Sequence, residues 1–153
     1  MILRKWMGIA LLLAAAGCTV AHDAERSADG AVSPPADVSA PPADALRTPS
    51  GLASKMLRVG LGRDHPGPHA QVLVTYTGWT PDGKMFDTSA KTGGPVVLGV
   101  DDVIPGWTEG LQLMVAGEKR RFWIPGALAY DKIDMAGMPK GMLVFDVELL
   151  EIR

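Results

Sequence analysis

The sequence predicts an α+β domain in which a curved antiparallel sheet wraps over one short α-helix. Three observations point to it. Apolar and polar residues alternate over several short runs, most cleanly at 71–77 and 143–152. Only one stretch, opening at Pro105, repeats apolar residues at helical spacing. Gly and Pro clusters separate these runs, and many short strands with a single helix favour a sheet packed on that helix over a parallel α/β layout.

In chain order, Val72, Val74 and Tyr76 share one face of the first strand, with Gln71, Thr75 and Thr77 on the other, and Gly78 is read as its end. Pro81-Asp82-Gly83-Lys84 is a turn, since proline presets φ and glycine accepts positive φ. Met85-Phe86-Asp87-Thr88 resumes as a short strand, and Val96-Val97-Leu98 follows the break at Gly93-Gly94-Pro95. Pro105 and Gly106 open the helix, Trp107, Leu111, Met114 and Val115 line its buried face, and Gly117 is placed to end it. Residues 118–124 alternate again until Pro125. In the last strand Leu143, Phe145, Val147 and Leu149 oppose Asp146 and Glu148.

The first fifty residues read as address and tether. Arg4 and Lys5 precede an uncharged Leu/Ala-rich run, which ends in Ala15-Ala16-Gly17. That is the layout of a secretory signal over 1–17. The apolar run is short of the roughly 20 residues that a spanning helix needs. Ala15-Ala16-Gly17-Cys18 resembles a bacterial lipobox, with Ala15 where Leu is commonest, so Cys18 is the expected lipidation site. Stable anchoring takes more than one acyl chain. Thr19 rather than Asp after the cysteine favours an outer membrane facing the periplasm. Residues 18–49, rich in Ala, Pro, Ser and Asp and poor in large apolar side chains, read as a disordered, semi-stiff linker. The folded domain is expected over 50–153.

Composition narrows the function. A net charge of −2 across 153 residues gives no electrostatic reason to expect a nucleic-acid partner. The lone Cys18 excludes an intrachain disulfide. His22, His65 and His69 lack Cys or acidic companions at ligand spacing, so no metal is expected. No cofactor is expected.

Residues 50–153 carry an ordered string of motifs: Val74-Thr75-Tyr76-Thr77-Gly78, Asp82-Gly83, Phe86-Asp87-Thr88-Ser89, Leu98-Gly99, Val103-Ile104-Pro105-Gly106-Trp107, Leu128-Ala129-Tyr130 and Leu143-Val144-Phe145-Asp146-Val147. In this order and spacing the string resembles the FKBP-type peptidyl-prolyl cis-trans isomerases. The resemblance implies an FKBP-like half-barrel of five or six strands around the helix, with a shallow apolar pocket between them. By motif, Tyr76, Phe86, Asp87, Ile104, Trp107, Tyr130 and Phe145 would be catalytic, with Val103 and Met138 binding substrate. Trp107 would floor the pocket and Tyr76, Phe86 and Phe145 would wall it. The Ile104 amide and Tyr130 hydroxyl would bond substrate carbonyls. Implied partners are proline-containing polypeptides and macrolides of the rapamycin type, bound by a monomer.

The residue types suit that chemistry. Rotation about a prolyl bond breaks no covalent bond; the obstacle is amide resonance, with a barrier of about 18–20 kcal/mol. An apolar pocket with a few polar contacts lowers it, and no triad or carboxylate dyad is needed. Two stretches depart from the family pattern. Gly94-Pro95-Val96 stands where phenylalanines are common, and Asp131 replaces a glycine at the head of a short loop, 132–139. The sequence leaves open a second reading, in which the fold serves as a chaperone or binding module with little catalysis.

Overall fold

A computed structural model of the chain describes residues 32–153. Its framework is one antiparallel sheet of seven strands: β1 (Leu46–Arg47), β2 (Ala53–Arg58), β3 (Gln71–Trp79), β4 (Met85–Thr88), β5 (Val96–Gly99), β6 (Lys119–Ile124) and β7 (Leu143–Ile152). The spatial order is β1-β2-β6-β7-β3-β4, with β5 also paired to β3. β5 takes the first half of β3 and β4 the second, so the sheet splits at that edge and leaves a gap beside Tyr76. The α+β half-barrel expected from the sequence is therefore present, with β1 and β2 added to the strands that alternation had marked.

Alternation puts Val72 and Val74 of β3, Phe122 and Ile124 of β6, and Phe145, Val147 and Leu149 of β7 on the concave face. They enclose Trp107 and Leu111 of the helix α1 (Pro105–Leu111), together with Met114. Gly106 and Gly110 let the helix lie directly on β6. A Cβ at these positions would come within 2.4 Å of Ile124 and 2.7 Å of Phe122. Two glycines in seven residues give α1 poor intrinsic propensity, so packing holds it.

Two boundaries differ from the sequence reading. β3 runs through Gly78 to Trp79, because β7 continues to pair with it there. The helix stops at Leu111 and does not reach Val115. Beyond it the chain turns: the Val115 amide donates to Glu118 Oε2 at 3.2 Å and the Gly117 amide to Leu149 O at 2.7 Å.

Within the span read as linker, residues 35–45 pack on the convex face of the sheet and Leu46–Arg47 form its edge strand β1. Pro35 and Pro42 each begin a turn closed by a hydrogen bond, from Val38 N to Pro35 O and from Ala45 N to Pro42 O, both 3.1 Å. The two turns share the order Pro-Pro-Ala-Asp. The first sets Asp37 against Arg121 at 2.6 Å, and the second sets Asp44 against Lys55 at 2.9 Å. The physical cause lies in the sheet. Ala53, Trp123 and Val144 form a second apolar cluster on the convex face, and Val38, Ala45 and Met142 cover it. Trp123 Nε1 donates to Asp37 O at 2.9 Å. Beside this cluster, Arg121 makes a bidentate pair with Asp146 at 2.6 and 2.8 Å. The signal segment, Cys18 and the first part of the linker lie outside the described residues.

Candidate functional site

A cavity of about 290 Å³ opens between the concave sheet and the amino-terminal end of α1. Its walls come from several elements, with Leu98 of β5 and Tyr130, Ile133 and Met135 of the loop before β7 among them. β3 supplies Tyr76, β4 supplies Asp87, β7 supplies Phe145, and the corner before α1 supplies Asp102, Val103 and Ile104. Trp107 lies at the base, 5% exposed. It meets Tyr76 edge-on with centroids 5.1 Å apart and Phe145 edge-on at 5.4 Å. Such edge-to-face contacts fix ring orientation as well as burying area.

Gly78 makes this cluster possible. It pairs with Phe145 across the sheet, and a Cβ on it would sit 2.6 Å from Phe145 Cε1 and 3.0 Å from Phe86 Cζ. Phe145 therefore lies flat over bare backbone, with Phe86 edge-on behind it at 5.5 Å. Phe86 supports the wall from behind and is not part of the cavity surface.

The polar groups divide into those already engaged and those left open. Asp87 is engaged: Tyr76 donates its hydroxyl to Oδ2 at 2.9 Å, and the Thr88 amide donates to Oδ1 at 2.9 Å. Lys91 Nζ stands 3.7 Å from Oδ1. Burial, then the bond to Asp87 and its charge, push the Tyr76 phenol up to about 12. Burial, followed by the Asp87 charge, raises Tyr130 as well. Both phenols are thus kept as proton donors through the neutral range.

Two donors have no partner among the described residues. Ile104 caps α1 through its carbonyl, which accepts from Trp107 N at 2.9 Å and Thr108 N at 3.1 Å, while its own N–H meets no acceptor among the described residues. The Tyr130 hydroxyl lines the cavity and likewise donates to none of them. Ile104 and Tyr130 both line the cavity, so these two donors are available to receive carbonyl oxygens there.

Tyr130 is positioned by a tied loop. Asp131 Oδ1 accepts from Gly141 N at 2.7 Å, and Lys140 Nζ donates to Tyr130 O at 2.6 Å and Ile133 O at 2.9 Å. Met138, expected from its place in the sequence to reach substrate, does not line the cavity. A turn from Met135 O to Met138 N, with Gly137 at φ +83, carries it past the opening. Ile133 and Met135 line the rim instead. Met135 is 48% exposed, and an apolar side chain in a charged loop was the signal that could have singled it out. Tyr76, Asp87, Val103, Ile104, Trp107, Tyr130 and Phe145 do converge.

Comparison with known proteins decides the family. Residues 62–150 match the family model described as FKBP-type peptidyl-prolyl cis-trans isomerase. The chain belongs to that family. This FKBP-type chain is 41% identical over 107 residues to the outer membrane protein MIP of Legionella longbeachae, covering 69% of the chain and 46% of the relative. It is 43% identical over 115 residues to FK506-binding protein 1B of Aspergillus fumigatus, covering 67% and 95% respectively. Among solved structures it superimposes on FkpA from Escherichia coli with a TM-score of 0.68 at 40% identity, covering 73% of this chain and 53% of that one. It thus spans about half or less of the length of these bacterial relatives.

Proposed function

We propose that the cavity catalyses cis–trans rotation about Xaa-Pro bonds in polypeptides. The observation that carries this reading is the pair of donors without a partner among the described residues, Ile104 N–H and Tyr130 O–H, at an aromatic cavity floored by Trp107. A proline ring is apolar and compact, and it suits a cavity of about 290 Å³. The two donors receive carbonyls that flank the ring and hold the chain on both sides of the rotating bond. Uncatalysed exchange takes tens to hundreds of seconds because resonance resists twisting. In the twisted state the amide loses conjugation and part of its polarity, so a site that has stripped water from it favours that state over the planar one. Asp87 acts indirectly. By accepting from Tyr76 it fixes that ring against Trp107 and Phe145.

The test is exchange in a proline tetrapeptide, followed by NMR with catalytic amounts of the protein. Acceleration that a rapamycin-type macrolide abolishes supports the reading. A folded protein that accelerates nothing overturns it.

We further propose that the chain works in the cell envelope, anchored through Cys18. The basic start, the apolar run and Ala15-Ala16-Gly17-Cys18 support this. No helix among the described residues is long and apolar enough to cross a membrane. Fatty-acid labelling that disappears in Cys18→Ser would bear it out, and unlabelled wild type would refute it.

A further inference from the structure

The cavity mouth carries a charge that bond rotation does not use. Two carboxylates line the cavity, Asp87 and Asp102. Asp87 is occupied by Tyr76 and the Thr88 amide. Asp102 differs: its carboxylate makes no hydrogen bond or ion pair with any described residue, while neighbouring Asp101 pairs with His69 at 2.7 Å. The backbone holds Asp102 in place through its amide, which donates to Gly99 O at 3.1 Å. Its Oδ2 folds over Gly99, where a Cβ would approach to 2.6 Å. Among the described residues, no Lys or Arg side chain lines the cavity. On the facing loop, Lys140 is taken up by the Tyr130 and Ile133 carbonyls, and exposed Lys132 and Asp134 oppose each other in sign.

We propose that Asp102 gives the site a preference for substrates with Lys or Arg beside the isomerising proline. The inference rests on the isomerase reading and adds the charge class of the substrate. Ile104, the donor to a substrate carbonyl, lies two residues after Asp102, so a chain bonded there passes within reach of the carboxylate. A lysine stem can lie along the apolar rim at Val103 and Leu98 while its ammonium meets the carboxylate. Asp102 is exposed, and exposed ion pairs shift equilibria by only about two- to fivefold. Salt weakens them, since screening acts over about 8 Å at physiological ionic strength.

The test compares kcat/KM of the full chain on proline tetrapeptides with Lys, Ala or Glu directly before or directly after proline. It uses wild type, Asp102→Asn and Asp102→Lys at low and high salt. In wild type the Lys peptide is expected to exceed the Glu peptide about two- to fivefold on one flank, with the ratio shrinking in salt. Asp102→Asn brings the ratio near one, and Asp102→Lys inverts it. Taking the ratio within each protein cancels any general change in activity. The same ratio in all three proteins, on both flanks, overturns the inference and leaves the isomerase reading standing. If folded wild type accelerates no peptide, the isomerase reading fails and the inference falls with it.

Discussion

Tyr76 donates its hydroxyl to Asp87 Oδ2 at 2.9 Å, across the gap where β4 and β5 part from β3. The bond turns Tyr76 away from substrate chemistry and makes it a fixed wall. Tyr130, whose hydroxyl has no partner among the described residues, is left as the phenolic donor at the cavity.

A pH dependence follows. The Tyr76 phenol is raised to about 12 in the folded state from an ordinary value near 10. The folded state therefore holds this proton more tightly than the unfolded one. Its contribution to stability is complete below about pH 10 and is lost as pH rises toward 12. Urea unfolding across that interval is expected to show falling stability, with a shallower slope in Tyr76→Phe. An equal slope in both proteins would contradict the assignment.

Gly78→Ala is expected to damage stability and activity together. Its Cβ would press on Phe145 at 2.6 Å, and that ring is hemmed in by Tyr76, Trp107 and Phe86. Overpacking of this kind costs about 1–3 kcal/mol. Thermal unfolding and peptide exchange rates check the two effects.

The arm makes a prediction of the opposite kind. Asp37→Ala removes the 2.6 Å bond to Arg121, which is expected to cost about 1–2 kcal/mol. Activity at temperatures where the protein stays folded should not change, because Arg121 and Asp146 lie on the face of the sheet away from Trp107. A chain begun at residue 50 loses β1 and the Val38 and Ala45 part of the cover over Trp123 and Val144 as well, and it should unfold more readily than Asp37→Ala. Chemical denaturation of the three proteins in parallel provides the comparison.

The concave face was legible in the sequence because two simple periods describe it. Val72, Val74, Phe145, Val147 and Leu149 alternate, and Trp107 and Leu111 are one helical turn apart. The convex face was not legible. Trp123, Val144 and Asp146 look like the polar or incidental side of their strands until the arm covers them, and a proline-rich arm has no period to reveal it. The same is true of β1 and β2, whose residues alternate weakly and are largely exposed beyond Ser54. At the site, motif order marked Tyr76, Ile104, Trp107, Tyr130 and Phe145, which the fold brings to one cavity, and Phe86, which it leaves behind the wall. Met138 was misplaced because a loop with Gly137 at positive φ can turn either side of the opening, and only the fold selects Met135. The helix end was misread for a related reason, since Glu118 takes the Val115 amide from outside the helix.

The most direct test of the central claim is catalysed cis–trans exchange of a proline tetrapeptide, measured by NMR in wild type and Tyr130→Phe. If the unpaired hydroxyl receives a substrate carbonyl, the variant keeps its fold and its kcat/KM falls about five- to tenfold, the worth of one such bond. Equal rates in the two proteins, with both folded, would contradict the claim that open donors over an aromatic floor make this cavity an isomerase.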